Sequence, residues 1–477
     1  MTNLSGTNLH NGAAVGPQGE GKESPSTFPK YPAYKDSGVE WLGEVPEGWI
    51  LARGDAYLRS QAKVVSADYL GGKEVFHYSI PAVQATGDGQ LEDGDEIDSS
   101  KLLVEQPQVL ISKLNPRKNT VCLAGPREVV TVCSGEFVPL QSDCMDLKWV
   151  YYLVSSENFK KRLESLVESA TRSHQRVNPS DILKFRGAFP LLAEQTQIAR
   201  FLDHETARID ALIEEQQRLI ELLKEKRQAV ISHAVTKGLD PKVPMKDSGV
   251  EWLGEVPAHW QVKRLKHLVP SITVGIVVEP SKYYVDDGVP ALRSLNVKPG
   301  AVVTENLVYL SEESNELHAK SKIFEGDIVA VRSGQPGTAA IVPKEFNGAN
   351  CIDLIVIRKP LQGCSTFIFW YLNSDAALKQ FSEGSSGAIQ QHFNIAAASE
   401  MIFAWPPASE QLEINSHLDR ACHQLDRLIS VAGESKSLLL ERRSALVSAA
   451  VTGKIDVRGW QPPASTQAPK LEVAEAN

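Results

Sequence analysis

Residues 191–237 contain neither Gly nor Pro, and their apolar residues fall at heptad spacing. Leu202, Ile209, Leu223 and Val230 form one row and Leu212 and Leu219 the other; Ile198, Ile213 and Ile220 widen the stripe, and Gln216 and Lys226 interrupt it. An apolar repeat of that period predicts a helix that packs along another helix. At 1.5 Å per residue, about forty residues span roughly 60 Å, which suits a spacer. The pattern returns at a constant offset of 216 residues, from Glu194-Gln195 to Glu410-Gln411, Leu202-Asp203 to Leu418-Asp419, and Ala234-Val235-Thr236 to Ala450-Val451-Thr452. Two long helices with matching stripes in one chain most simply pack on each other. Gly433 falls in the middle of the second copy and is expected to weaken or kink it.

A second repeat precedes each helix. Residues 35–49 (KDSGVEWLGEVPEGW) and 246–260 (KDSGVEWLGEVPAHW) differ at only two positions. Trp41, Trp49, Trp252 and Trp260 read as apolar anchors, with Pro46 and Pro257 setting a turn before each second Trp. The chain is therefore two halves in series, each a Trp-rich lead segment, a mixed domain and a long helix. The boundaries are a first domain with its lead segment at 31–190, a helix at 191–238, a second domain with its lead segment at 239–405 and a helix at 406–459. Residues 1–30 and 460–477 are expected to be disordered tails, too poor in apolar residues to bury a core. Within the domains, strands are predicted at 109–112, 129–132, 328–331 and 352–357, and helices at 149–166 and 367–381. The domains resemble each other far less than their flanks do. The likeness returns only where Gln175 and Asn178 match Gln391 and Asn394. The fold class is α+β with an internal pseudo-twofold repeat.

With 477 residues, a hydrophobic fraction of 42% and a net charge of -9, the chain is an ordinary multidomain globular protein without a wholly basic surface. Its six cysteines form no C-x-x-C pair and read as reduced thiols. No apolar run approaches the length of a membrane span, and the N-terminus has no charged region followed by an apolar core. Gly16 to Lys22 (GPQGEGK) comes close to a phosphate-binding loop, but Glu23 stands where Ser or Thr would ligate magnesium and no strand precedes it.

Catalytic signatures are missing. Asn115-Pro116-Arg117 and Asn178-Pro179-Ser180 lack the second proline of an adenine-methyltransferase loop, and neither H-E-x-x-H nor G-x-S-x-G occurs. The acidic run 92–98 reads as a solvated turn. Polar and basic groups on predicted loops are present instead. In the first domain they are Lys113, Asn115, Arg117 and Lys118, then Arg172, His174, Gln175 and Arg176. In the second they are Arg293 and Asn296, Arg332, Ser333 and Gln335, then Gln390, Gln391 and His392. Arg reads guanine bidentately, Asn and Gln read adenine, and Lys mostly meets phosphate, so these are candidate DNA contacts.

The doubled layout resembles the specificity subunit of a Type I restriction-modification system. The resemblance is carried by the paired K-D-S-G-V-E-W-L-G-E-V-P segments, the paired E-Q-x-x-I-x-x-x-L-D helix starts and the paired helix ends, with Gly326-Asp327-Ile328 ahead of Arg332-Ser333-Gly334. The first domain departs from the pattern, with Gln106-Pro107-Gln108-Val109 in place of Glu325-Gly326-Asp327-Ile328. The resemblance implies two target-recognition domains, each reading half of a split duplex target. It implies an antiparallel helix pair that spaces them and docks two modification subunits, with Leu202, Ile209, Leu212, Leu219, Leu223, Leu418, Leu425, Leu428 and Leu439 as candidate partner-binding residues. It also implies a cytoplasmic chain with no active site and no cofactor of its own. S-adenosylmethionine, magnesium and ATP would sit on the modification and restriction subunits. A standalone nuclease or methyltransferase, and a helical scaffold that binds no DNA, are the competing readings.

Overall fold

The computed structural model describes residues 28–167, 175–333, 337–383 and 393–463. Its contacts divide into two compact units, residues 1–215 with 435–477, and residues 216–434. The cut falls within both long helices, Leu192–Lys237 and Ala408–Val451. Each unit is thus a mixed domain with its lead segment, the start of one long helix and the end of the other. The second long helix continues through Gly433 without a break.

In the first unit the start of the first helix lies antiparallel to the end of the second, with Ile198, Leu202 and Ile209 in one core with Leu446, Val447 and Val451. Arg443 donates from Nε and Nη2 to Asp210 at 2.7 and 3.1 Å. In the second unit Ile231 and Val235 share a core with Ile414 and Leu418, and Arg227 lies 2.9 Å from Asp426. These two ion pairs are the same pair under the internal repeat, with the helices exchanged.

The lead segment locks each helix start to the opposite helix end. Trp49, 2% exposed, donates from Nε1 to Glu194 at 3.0 Å, and Trp260, fully buried, donates likewise to Glu410 at 3.0 Å. Lys35 and Lys246 each close the segment on the carbonyl of that Trp, both at 2.6 Å. Gln195 and Gln411, each donating to a proline carbonyl (2.8 and 2.9 Å), also accept from a domain backbone N–H, Asp146 at 3.0 Å and Cys364 at 3.1 Å. The far side of each lead segment receives the other helix's end, where Lys454 and Lys237 donate to the carbonyls of Glu44 and Glu255. Gly48 and His259 mark one of the two differences between the repeats. His259 contacts Glu410 at 2.8 Å, the service that Tyr31 performs for Glu194 at 2.6 Å. The Trp residues are packing anchors, as their sequence context predicts.

Phe28, Pro29 and Trp460, expected in the tails, are held in the fold. Phe28 and Trp460 both pack edge-on against Phe201, with ring centroids 5.2 and 5.3 Å away, and the Asp456 N–H bonds the Pro29 carbonyl at 2.7 Å.

Each domain carries a mixed sheet and an antiparallel one. In the first domain the mixed sheet runs Val64–Val65, Lys101–Leu103, Val130–Ser134, Glu74–Tyr78, Gln90–Asp93, and the other runs Phe137–Leu140, Gln108–Ser112, Val121–Ala124. In the second the corresponding sheets run Tyr284–Val285, Val308–Leu310, Val289–Leu292, Asn350–Cys351, and Ile272–Val274, Leu354–Ile357, Ile328–Val331, Ala339–Ile341. One parallel pair recurs in each mixed sheet. The helix expected at 149–166 is two helices, Leu147–Ser155 and Glu157–Ser165, and that expected at 367–381 is Ser365–Leu372 and Asp375–Glu383. A buried serine makes each break. Ser156 and Ser374 donate to the carbonyl three residues back (2.7 and 2.6 Å) and accept an N–H three residues on (3.3 and 3.4 Å). A serine hydroxyl bonded this way competes with the helix ladder and starts a new helix.

Burial raises the thiols of Cys122, Cys133 and Cys351 to about 12, so they stay protonated. Among the described residues no helix is long and apolar enough to cross a membrane. In the acidic run, Asp93 accepts the Asp95 N–H within the turn and Asp95 accepts the Gly72 N–H of a neighbouring loop, while Glu92 instead meets the buried His77 at 2.7 Å.

Candidate nucleic-acid interface

In the first domain the Gln108–Ser112 strand is buried throughout and ends directly at Lys113. Lys113 donates from Nζ to the Gly135 carbonyl at 2.8 Å. Asn115 and Asn119 take left-handed backbone (φ 50 and 46) on either side of the Pro116–Lys118 turn. Asn tolerates that conformation better than most residues. Arg117 and Lys118 are exposed there, with Lys118 reaching Gln84 Oε1 at 3.3 Å. The segment before the helix connector returns to this loop. The Asn115 N–H bonds the Gln175 carbonyl at 2.7 Å, the Val177 N–H bonds the Lys113 carbonyl at 3.0 Å, and Leu114 bridges Arg176. Arg176 in turn donates to Glu136 at 2.8 Å. The fold therefore brings together two groups that stand far apart in sequence.

In the second domain the buried Ile328–Val331 strand ends at Arg332, which donates to Asp353 at 2.7 Å. The Phe393 N–H bonds the Arg332 carbonyl at 3.0 Å, the same closure that Val177 makes on Lys113. The residues that match across the halves, Asn178 and Asn394, are helix caps; their side chains accept from Ser180 and Ala397 at 2.9 and 2.8 Å. Ser333 is half-buried beside Arg332. Asn296 corrects the sequence reading. Asn296 is fully buried, with its amide spent on the carbonyls of Val303 (3.1 Å) and Glu305 (2.9 Å) and on the Arg293 N–H (3.0 Å). Arg293 donates to the Asn306 carbonyl. Asn296 holds a turn and presents no edge to a ligand. Arg172, His174, Gln335, Gln390, Gln391 and His392 lie outside the described residues.

The apparent departure of the first domain resolves by register. Val109 pairs with Leu140 as Ile328 pairs with Ile357, so Gln108 stands at the place of Asp327 and Gln141 at that of Arg358. Asp327 accepts from Arg358 at 2.6 Å, and Gln108 accepts from Gln141 at 2.6 Å. A buried ion pair in one domain is a buried amide pair in the other. The two domains share one backbone frame beneath unlike sequences.

No family model matches the chain. The specificity subunit of the Type I restriction enzyme EcoKI of Escherichia coli is 25% identical over 317 residues, 61% of this chain and 62% of that protein, so the alignment spans less than two thirds of this relative. The MjaVIII specificity subunit of Methanocaldococcus jannaschii is 24% identical over 87% of this chain and 94% of its own length. The chain is a relative of the specificity subunits of Type I restriction enzymes. A structure of Type I restriction-modification complex assembly contains a chain that superposes on 85% of this one with a TM-score of 0.67, at 15% identity, covering 98% of that chain. The doubled fold is therefore shared.

This relationship gives the helix stripe its context. Leu202, Ile209, Leu418 and Leu425 are buried within their own units, and Leu439 packs partly into the first core. The four buried side chains hold the helix pair rather than face a separate partner, which corrects their assignment as partner-binding. Leu212, Leu219 and Leu428 are 39%, 42% and 52% exposed, and Leu223 is half-buried. Exposure also marks two positions the stripe did not single out, Leu222 at 52% and Leu438 at 65%, which are repeat equivalents. Their spacing off the main rows was the available signal.

Proposed function

We propose that this chain is the DNA sequence-reading subunit of a Type I restriction-modification complex. Each mixed domain reads one half of a bipartite duplex target at its strand-end loops. The paired helices space the two readers and dock two modification subunits, with restriction subunits joining for cleavage. Methyl transfer, S-adenosylmethionine, magnesium and ATP belong to those partners, and the chain works in the cytoplasm without a catalytic site of its own. The observation that carries this reading is the doubled interlock: identical Trp–Glu and Gln contacts support two domains whose exposed loops differ. Such an arrangement keeps the scaffold constant while the target varies.

The test is a map of methylated adenines in cells carrying variants of this chain. Replacing residues 50–189 with the equivalent domain of a relative should change one half-site and leave the other. A swap that alters both halves contradicts the reading. Inserting one heptad between Ile209 and Leu223 keeps the apolar stripe in phase and adds roughly 10.5 Å of helix. At about 3.4 Å per base pair, the preferred spacer should grow by about one to three base pairs, since DNA bending absorbs part of the change. An unchanged spacer in an active variant would mean that the helices dock partners without measuring distance.

A further inference from the structure

We propose that Glu136 and Asp353 are equivalent positioning carboxylates, each aiming the arginine with which its domain reads a base. The proposal rests on the DNA-reading function above. The equivalence comes from register. Phe137 stands opposite Ser112, and Leu354 opposite Val331. Lys113 and Arg332 are therefore the residues just past one strand, and Glu136 and Asp353 those just before its neighbour. The return segment closes on both in the same way, by Val177 on Lys113 and Phe393 on Arg332, each at 3.0 Å.

Only the guanidinium has moved. In the second domain it sits at the strand end, as Arg332, and in the first it sits on the return segment, as Arg176. In both places the equivalent carboxylate holds it, Asp353 at 2.7 Å and Glu136 at 2.8 Å. A long basic side chain at a loop otherwise samples many rotamers. A carboxylate that engages one nitrogen of a rigid planar fork anchors that corner and narrows the rotamers open to the whole group. That is the preparation a bidentate contact to guanine requires. The two carboxylates are placed by the backbone: Glu136 directly precedes the Phe137–Leu140 strand, and Asp353 is set in left-handed backbone, φ 49, at the mouth of its strand. Arg176 and Arg332 keep 59% and 28% of their side-chain surface exposed, so both remain within reach of a duplex.

The experiment selects bound sequences from a duplex library randomised in both half-sites, using the full chain assembled with its modification subunits. Asp353→Asn should lower discrimination roughly tenfold at one position of one half-site, and Glu136→Gln at one position of the other. Arg332→Lys, which keeps the charge and loses the fork, should match Asp353→Asn. Asp88→Asn, which removes an exposed partner of Arg127 (3.0 Å) elsewhere in the first domain, should change no base preference. Thermal melting of all variants should match the unsubstituted complex. Equal weakening on every sequence, lowered melting without a base-specific change, or changes in both half-sites from one variant would overturn the positioning role. Unaltered preferences in every variant would overturn it as well, provided the unsubstituted complex selects a bipartite site. If the unsubstituted complex selects none, the DNA-reading function itself falls.

Discussion

The two domains solve the same structural problem with different chemistry, and the clearest instance is the strand pair beneath their loops. In the second domain Asp327, 4% exposed, takes Arg358 at 2.6 Å and the backbone N–H groups of Phe324 and Lys359 at 3.0 and 3.1 Å. In the first domain Gln108 and Gln141, 2% and 5% exposed, meet at 2.6 Å, and Gln108 Nε2 is buried without a partner among the described residues. The interlocks behave in the opposite way, keeping the residues as well as the geometry. Where a side chain must fit both long helices, substitution is constrained from several directions. Where it needs only to satisfy one neighbour on the adjacent strand, an ion pair and an amide pair serve alike. The frame is thus defined by strand register, which leaves the loops above it free to diverge.

The largest expected effect breaks that comparison at its charged end. Asp327→Ala leaves Arg358, 18% exposed at its side chain, without its carboxylate, and should cost about 3–5 kcal/mol in the second unit. Asp327→Asn combined with Arg358→Gln writes the first domain's chemistry into the second and should cost only about 1–2 kcal/mol, because no buried charge is stranded. Hydrogen-exchange protection of the Ile328–Val331 and Leu354–Ile357 strands reports both. A double variant as unstable as the single one would show that the two pairs are not interchangeable.

A similar contrast lies in the interlocks, at the glycine ending each long helix. Gly453 has φ 70, and a Cβ there would lie 2.3 Å from Pro46 Cδ; Gly238 has φ 78, but its nearest neighbours would be the Glu410 carboxylate at 3.2 Å and Trp260 Cζ2 at 3.3 Å, a far smaller overlap. Left-handed backbone costs a non-glycine residue about 1–3 kcal/mol, and overpacking a further 1–3. Gly453→Ala should therefore cost about 2–6 kcal/mol and Gly238→Ala about 1–3, as read by urea midpoints of each unit's own probes. Equal losses would mean that the Pro46 ring yields freely.

On DNA, Arg332→Ala should relax preference at one or two bases, losing about 1–3 kcal/mol of discrimination. Lys113→Ala should weaken binding to all sequences alike and flatten the salt dependence. Titrations on matched and mismatched duplexes at several salt concentrations separate the two. A base-specific effect of Lys113→Ala would reverse the division between reader and phosphate contact.

The helices, the two repeats and the division into halves were legible because helical periodicity and a constant offset are properties of sequence alone. The split of each domain helix at Ser156 and Ser374 was not, since a buried capping serine inside an apolar run looks like any other small residue. Of the candidate site, the basic loops after the strands were legible, but their carboxylate partners were not. Glu136 and Arg176 lie 40 residues apart and meet only through strand register. Asn296 misled for the converse reason, because an amide that ties a turn has the same composition as one that reads a base. The likeness of Gln108 to Asp327 likewise appears only after the strands are paired.

The smallest expected effect concerns the ion pairs that repeat along the helices. Arg443 makes two hydrogen bonds to Asp210, whereas Arg227 lies 2.9 Å from Asp426 but its Nε makes no hydrogen bond. The 2.9 Å separation is charge proximity without alignment. Both aspartates are about half exposed, at 50% and 53% of their side-chain surface, so solvent screens both pairs. Exposed pairs contribute about 0.2–1 kcal/mol, with good fork geometry at the upper end. Double-mutant cycles with Asp210→Asn and Arg443→Gln should give a coupling near the upper end of that range, and those with Asp426→Asn and Arg227→Gln one near zero. Both couplings should shrink at high salt. If the second matched the first, proximity alone would account for the attraction and the aligned fork would add nothing measurable. The two ends of the helix pair would then be equivalent in energy as well as in sequence.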